Sequence, residues 1–138
     1  MSLEANKALV RRYFEEGWNQ GNLEVADAIL SPGFALHNPN LPQPVRGIEG
    51  FKQVITRFRA AFPDLYVAID ELIAEDDTVM ARTTAQGTHQ GQFQHIAPTG
   101  KAIAYGSIGI FRVVGGRIEE IYVINDTLGL LQQLGAIS

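Results

Sequence analysis

Asp126 stands between a strand-like run, Glu120-Ile121-Tyr122-Val123-Ile124-Asn125, and an apolar segment ending Leu130-Leu131-Gln132-Gln133-Leu134-Gly135. A carboxylate enclosed among aliphatic side chains is disfavoured as a charge, and that desolvation makes it a stronger base. Such a group can remove a proton alpha to a carbonyl, provided the enolate oxygen finds donors nearby. The same position also reads as the N-cap of a terminal helix, because Asp ahead of Thr-Leu-Gly-Leu-Leu accepts a backbone N–H. The two roles are compatible.

Other side chains could support that chemistry. His89 sits in Gly87-Thr88-His89-Gln90-Gly91, where an imidazole can stabilise an enolate oxygen or relay a proton; it can equally fix a strand end through a backbone bond. His37 and Asn38 precede Pro39, and an amide there can hydrogen-bond a carbonyl, or the trio can simply end a strand. Tyr13 offers a hydroxyl, although a helical aromatic is more often core. Trp18, Phe58 and Tyr122 read as packing or as pocket wall. Arg82 and Arg112 lie in apolar strands, where pairing with Glu71, Glu119 or Glu120 across a sheet is the simpler role. His37, His89 and His95 do not have the spacing of a helical metal pair, so no metal is expected. The chain carries no phosphate-binding loop, dinucleotide fingerprint or serine elbow.

These residues must be held by elements that the pattern announces. Leu9, Val10, Tyr13, Phe14 and Trp18 recur at helical spacing, with Gly17 weakening the last turn and Gly21 ending it. Asn22 caps a second helix carrying Leu23, Ala26, Ile29 and Leu30, which Ser31-Pro32-Gly33 terminates. Phe34 to Asn38 reads as a short strand, and the three prolines between Pro39 and Pro44 demand a loop. A third helix starts near Ile48 and turns Phe51, Val54, Ile55, Phe58 and Phe62 inward, ending at Pro63-Asp64. The period then changes to two. Leu65 to Ala74 and Thr78 to Gln86 form one hairpin across Glu75-Asp76-Asp77. Ile103 to Val114 and Arg117 to Ile124 form another across Gly115-Gly116. A short helix from about Thr127 to Leu134 closes the chain. Helices followed by strands predict an α+β domain over 1–138, with a curved sheet leaving a pocket at its open end.

Bulk composition narrows the partners. With 138 residues, 46% of them hydrophobic, the chain is long enough to bury a core without staples. It has no cysteine, which removes thiol nucleophiles and thiolate metal sites and fits a reducing compartment. A net charge of -4 without a basic stripe argues against nucleic acid. No apolar run reaches membrane-spanning length, and Met-Ser-Leu-Glu-Ala-Asn-Lys lacks a signal-peptide core, so the expectation is a cytoplasmic protein with no membrane partner.

Several motifs in order resemble one family: Tyr13 to Gly21, His37-Asn38-Pro39 with Arg46-Gly47, Phe62-Pro63-Asp64-Leu65 and Gly87-Thr88-His89-Gln90-Gly91. Pro98-Thr99-Gly100-Lys101, Ile110-Phe111-Arg112, Gly116-Arg117-Ile118, Asp126 and Leu130 to Gly135 continue the series. Together they resemble the SnoaL-like polyketide cyclases, the ester-cyclase branch of the nuclear transport factor 2-like (ketosteroid isomerase-like) superfamily. The resemblance implies a cone-shaped α+β barrel with three or four helices on a strongly curved, mostly antiparallel sheet enclosing a pocket. It implies a homodimer through the outer face of the sheet, a small apolar ligand and no cofactor. It assigns acid/base work in an intramolecular aldol closure to Asp126, with His89 in a shared motif. Tyr13 matches an oxyanion-donating tyrosine of the isomerases, and Asn38 replaces their proton-shuttling Asp.

The departures from the family pattern bear on function. The chain has Ile108-Gly109-Ile110-Phe111-Arg112 where relatives often carry Ile-Asp-Ile-Phe-Arg, and Glu120-Ile121-Tyr122 in place of Glu-His-Trp. Three readings follow. The first is a cofactor-independent cyclase, lyase or isomerase using Asp126 and His89, with Tyr13, Trp18, His37, Asn38, Phe58 and Tyr122 around the substrate. The second is a non-catalytic binder of small apolar ligands. The third is a hydratase or epoxide hydrolase-like enzyme drawing on Asp70 and Arg82.

Overall fold

In the computed structural model, which describes residues 2–137, helices come first and long strands after, as the periodicities predict. Helix α1 spans Leu3–Arg12 and begins where the Ser2 hydroxyl accepts the Ala5 N–H at 3.0 Å. Its apolar stripe runs on through Tyr13–Asn19, but these residues wind as a π-helical turn. A π-turn closes its hydrogen bonds over five residues instead of four, and that wider winding is frequent at functional sites. It buries Tyr13, Phe14 and Gly17 and leaves Trp18 half-buried. Gly21, at φ +66, then breaks the run. Helix α2 spans Glu24–Ile29, and the Asn22 side chain accepts the Glu24 N–H at 3.2 Å.

Ser31-Pro32-Gly33 does not form a loop after α2. It lies inside strand β1, Leu30–His37. Pairing of β1 with β6 shifts register between Leu30 and Ala35, and this irregular stretch tolerates a proline that has no N–H to donate. The proline loop leads into a two-residue strand, β2, Val45–Arg46, too short for any period to announce. Helix α3, Gly47–Ala61, buries Phe51 and Ile55. Strands β3, Tyr66–Glu75, and β4, Thr78–Thr88, join across Asp76 at φ 52. Strands β5, Ala102–Val114, and β6, Arg117–Asn125, join across Gly115 and Gly116, both in the left-handed region that a tight hairpin requires. Helix α4, Thr127–Gln133, follows at once.

The six strands lie in the order β2-β1-β6-β5-β4-β3. The β1–β6 pair is parallel and the other neighbours are antiparallel. The sheet curls around the helices and stays open, with β2 and β3 as its edges. Alternation assigns the two faces. On β5, Ile103, Phe111 and Val113 point inward and are buried, while Ile108, Ile110 and Val114 point outward and are exposed. The core gathers Phe34, Phe51, Phe62, Phe111, Ile29 and Leu30, each almost fully enclosed. Each such side chain contributes roughly 1.5–3 kcal/mol of transfer free energy.

Candidate active site

The curl of the sheet holds an inner cavity of about 100 Å³. The π-turn supplies Tyr13, Phe14 and Trp18 to its wall, α3 supplies Phe58, and β4, β5 and β6 supply the floor. A larger groove, about 1070 Å³, runs over the outer face of the same strands beneath the proline loop that follows β1. Asn38, Thr83, Ser107, Val123 and Asn125 line both hollows.

Among the expected site residues, Tyr13, Trp18, Asn38 and Phe58 meet at the inner cavity. His37, Tyr122 and Asp126 lie along the outer groove, where Asn38 also reaches. His89 lines neither hollow.

Asp126 is exposed, so the enclosure among aliphatics that would make it a stronger base is not met. Asp126 follows the last residue of β6 and opens α4, so its side chain turns to the helix it caps. Its backbone N–H donates to the Gly106 carbonyl at 2.9 Å. Its carboxylate accepts the Gly129 N–H at 2.9 Å and so caps α4.

His89 is wholly buried beside Phe62, with ring centroids 5.5 Å apart. Its Nδ1 accepts the Thr99 N–H at 3.2 Å and lies 2.9 Å from the Thr99 hydroxyl. Its backbone N–H donates to Lys101 and its carbonyl accepts from Gly100, closing the loop between β4 and β5. These contacts anchor a loop.

His37 stacks on Tyr122 at 4.3 Å, and its Nε2 lies 2.9 Å from Glu120 Oε2. The Tyr122 hydroxyl donates to the same oxygen at 3.2 Å. The hydrogen bond from His37 holds the Glu120 carboxyl below the usual carboxylate range, and the Tyr122 hydroxyl adds to the effect. Arg82 reaches Glu71 at 3.2 Å and Asp70 at 3.7 Å on the outer face, as a cross-strand cluster. The Asp70–Arg82 pair therefore stands outside the inner cavity and cannot hold a water there.

Among the described residues, no Asp, Glu, His, Lys or Arg lines the inner cavity. Its titratable groups are two phenols. Burial pushes Tyr105 up to about 12 and Tyr13 further still, the Trp18 indole N–H offsetting part of the latter shift. Both stay neutral at physiological pH and serve as donors. No three His, Asp or Glu side chains among the described residues gather as a metal set. The sequence reading missed Thr83, Tyr105, Ser107 and Asn125, all of which line the cavity. The signal available was the period of two, which puts alternate residues of each strand inside. The departures at Gly109 and Ile121 also fall on the cavity wall.

The model of the SnoaL-like polyketide cyclase family matches residues 8–134. The aklanonic acid methyl ester cyclase DnrD of Streptomyces peucetius is 33% identical over 134 residues, covering 92% of this chain and 88% of that protein. Its counterpart DauD from Streptomyces sp. (strain C5) is also 33% identical, covering 92% and 80%. The solved structure of TsrD from Streptomyces laurentii superposes with a TM-score of 0.89 at 30% identity, covering 99% of each chain.

Proposed function

The chain belongs to the SnoaL-like polyketide cyclase family, and from that premise we propose that it closes a ring in an apolar, carbonyl-bearing small molecule by intramolecular aldol chemistry without a cofactor. Similarity to polyketide cyclases supports a cyclase-like function. The apolar body of the substrate enters the inner cavity and its reacting carbon stays toward the outer groove. Asp126 takes the proton alpha to a carbonyl. The enolate carbon attacks a second carbonyl of the same molecule, and the resulting alkoxide takes the proton back from the Asp126 carboxyl. Nothing is oxidised or reduced, so no redox partner is needed. Asn38 and the Tyr13 hydroxyl are the donors nearest in role to an oxyanion site. The anchored loop position of His89 leaves it to support the fold of the site from behind.

One observation carries this reading. Asp126 lines a groove that shares Asn38 and Asn125 with the inner cavity, and this supports a carboxylate close to a ligand held there. The relatives named as aklanonic acid methyl ester cyclases favour an ester of the same general kind as substrate. The outer face supports a homodimer, since Ile73, Ile108, Ile110, Tyr122 and Ile124 are about half exposed or more there. None of the described helices is long and apolar enough to cross a membrane.

The test is turnover by Asp126→Asn on a methyl ester or ketone that the native protein cyclises. A loss of a hundredfold or more supports the base assignment, in line with general-base contributions of about 10²–10⁴. An unchanged rate removes it. A second reading, a ligand binder without catalysis, is favoured by the absence of ionised side chains from the cavity wall among the described residues and by Gly109 and Ile121 on that wall. It predicts uptake indifferent to Asp126→Asn and no product.

A further inference from the structure

The inner wall of the sheet carries one polar row. Thr83, Ser107 and Asn125 are register partners across β4, β5 and β6, so their side chains stand on the same face at adjacent strands. Around them the cavity is lined by aliphatic and aromatic groups. An isolated polar row in an apolar hollow is costly unless each group is satisfied, and the bookkeeping of donors shows what remains open.

The Ser107 hydroxyl donates to Asn125 Oδ1 at 2.5 Å. In this arrangement the Asn125 amide oxygen is engaged by Ser107. The Asn125 NH2 group is then turned away from Ser107 and has no protein partner among the described residues. The Asn38 Oδ1 accepts the Asn40 N–H at 2.9 Å, and among the described residues its NH2 has no protein partner either. Thr83 is almost fully buried in the same row. The Tyr105 hydroxyl, beside it in the cavity, stays protonated. Each of these open groups can donate, and the two amides can do nothing else once their oxygens are engaged.

We propose that Asn125, positioned by Ser107 and assisted by Asn38, is the group that binds the carbonyl oxygen of the ligand. The inference rests on the reading of the cavity as the ligand site and names the chemistry that the site recognises. A carbonyl oxygen accepts two N–H bonds through its two lone pairs, which matches two amide donors. An anion is disfavoured, since the lining described above offers no cation to offset its desolvation. Asn125 and Asn38 each line both the cavity and the groove, so a carbonyl held by them is within reach of both.

The test uses a matched pair of probes small enough for the hollow: cyclohexanone and methylenecyclohexane, which differ in one oxygen. Trp18 is the single tryptophan of the chain and lines the cavity, so its emission reports occupancy. The native protein is expected to bind the ketone about tenfold more tightly than the alkene, the value of one or two net hydrogen bonds. Asn125→Leu should abolish that preference while leaving alkene affinity in place, and Ser107→Ala should reduce it about threefold by freeing the amide to rotate. Should Asn125→Leu fail to fold, the side-chain NH2 resonances of Asn125 in the native protein give the answer. They should shift with cyclohexanone and not with methylenecyclohexane. Equal affinities for the two probes, no binding of either up to its solubility, or an Asn125→Leu variant that keeps the preference would each overturn the proposal. Since this reads binding alone, its failure is distinguishable from an unchanged turnover rate in Asp126→Asn.

Discussion

Asn125 and Asp126 are neighbours in the chain and turn to different partners: Asn125 hydrogen-bonds Ser107 on the inner wall, and Asp126 caps α4. The last residue of a strand and the first of a helix cap thus divide the polar work between two hollows. The amide has the enclosed position and the carboxylate the hydrated one.

That division predicts different outcomes for two substitutions at Asp126. Removing the cap with Asp126→Ala should lower stability by about 1 kcal/mol. Asp126→Asn keeps an accepting oxygen and should cost a few tenths at most. Urea midpoints of the two variants check this. If both melt alike, the capping bond to Gly129 is of no consequence, and turnover losses in either variant can be compared directly.

The architecture was legible because its signals are periodic. The switch from helical to alternating spacing, and Gly115-Gly116 at a tight turn, set most of the elements within a few residues. The π-turn at Tyr13–Asn19 was not legible, since its apolar residues also satisfy an α-helical stripe. The two-residue β2 was too short, and the proline in β1 read as a stop signal although parallel pairing resumes beyond it. The site was harder. Tyr13, Trp18, Asn38 and Phe58 were found by type and by resemblance, and they do share a cavity. Ser107 and Asn125 escaped notice because a small polar residue within a strand looks unremarkable until the face it occupies is known. Asp126 drew attention for its aliphatic neighbours in sequence, yet its side chain turns to the helix it caps.

The buried imidazole of His89 leads to a second prediction. His89→Ala removes the acceptor for the Thr99 N–H and the ring packed on Phe62. We expect a loss of about 2–4 kcal/mol, combining a vacated core volume with an unpaired donor. Amide exchange should quicken selectively in the loop between His89 and Lys101. Ligand affinity in the fraction that remains folded should be unaffected. A stable variant with altered affinity would show that the ring acts on the ligand instead.

A third prediction concerns acid. The Thr88 N–H and hydroxyl both donate to the Asp64 carboxylate, at 2.7 and 2.8 Å, and the backbone donor chiefly holds its pKa below the ordinary value. A carboxyl whose folded pKa is depressed contributes stability above its unfolded pKa, about 3.9, and loses it as pH falls through the lower folded value. Asp64→Asn cannot titrate, so its stability should fall less steeply below about pH 4 than that of the native protein. Urea midpoints taken from about pH 2 to 6 decide the matter. Parallel curves would mean that the Thr88 contacts persist equally in the unfolded chain.

Gly109 sets the space beside Phe111. A Cβ built there would stand 3.1 Å from Phe111 Cε1 and 3.9 Å from Ile121 Cγ2. Gly109→Ala should therefore fold with a cost within the range of about 1–3 kcal/mol seen for overpacking. The added methyl would take a sizeable share of a cavity of about 100 Å³. Cyclohexanone affinity, read from Trp18 emission, should fall severalfold. An unchanged affinity would place the ligand away from this end of the cavity.

Phe58 tests the size of the cavity from the opposite wall. The hollow of about 100 Å³ is below the roughly 300–1,000 Å³ usual for ligand sites, so it admits a single ring without rearrangement. Phe58 is half-buried and meets Trp18 and Phe93 edge-on, both at 5.6 Å. Phe58→Ala should cost about 2–3 kcal/mol, somewhat less than truncation of a fully enclosed phenylalanine. It should also join the vacated volume to the cavity. Affinity for a two-ring ketone such as 1-acetonaphthone should then rise relative to cyclohexanone, since the larger ligand no longer has to displace the phenyl ring. Trp18 loses an edge contact in this variant, so calorimetry should accompany its emission. If both ketones keep their native ratio of affinities, Phe58 does not limit ligand size, and the restriction lies with the π-turn residues Tyr13 and Trp18.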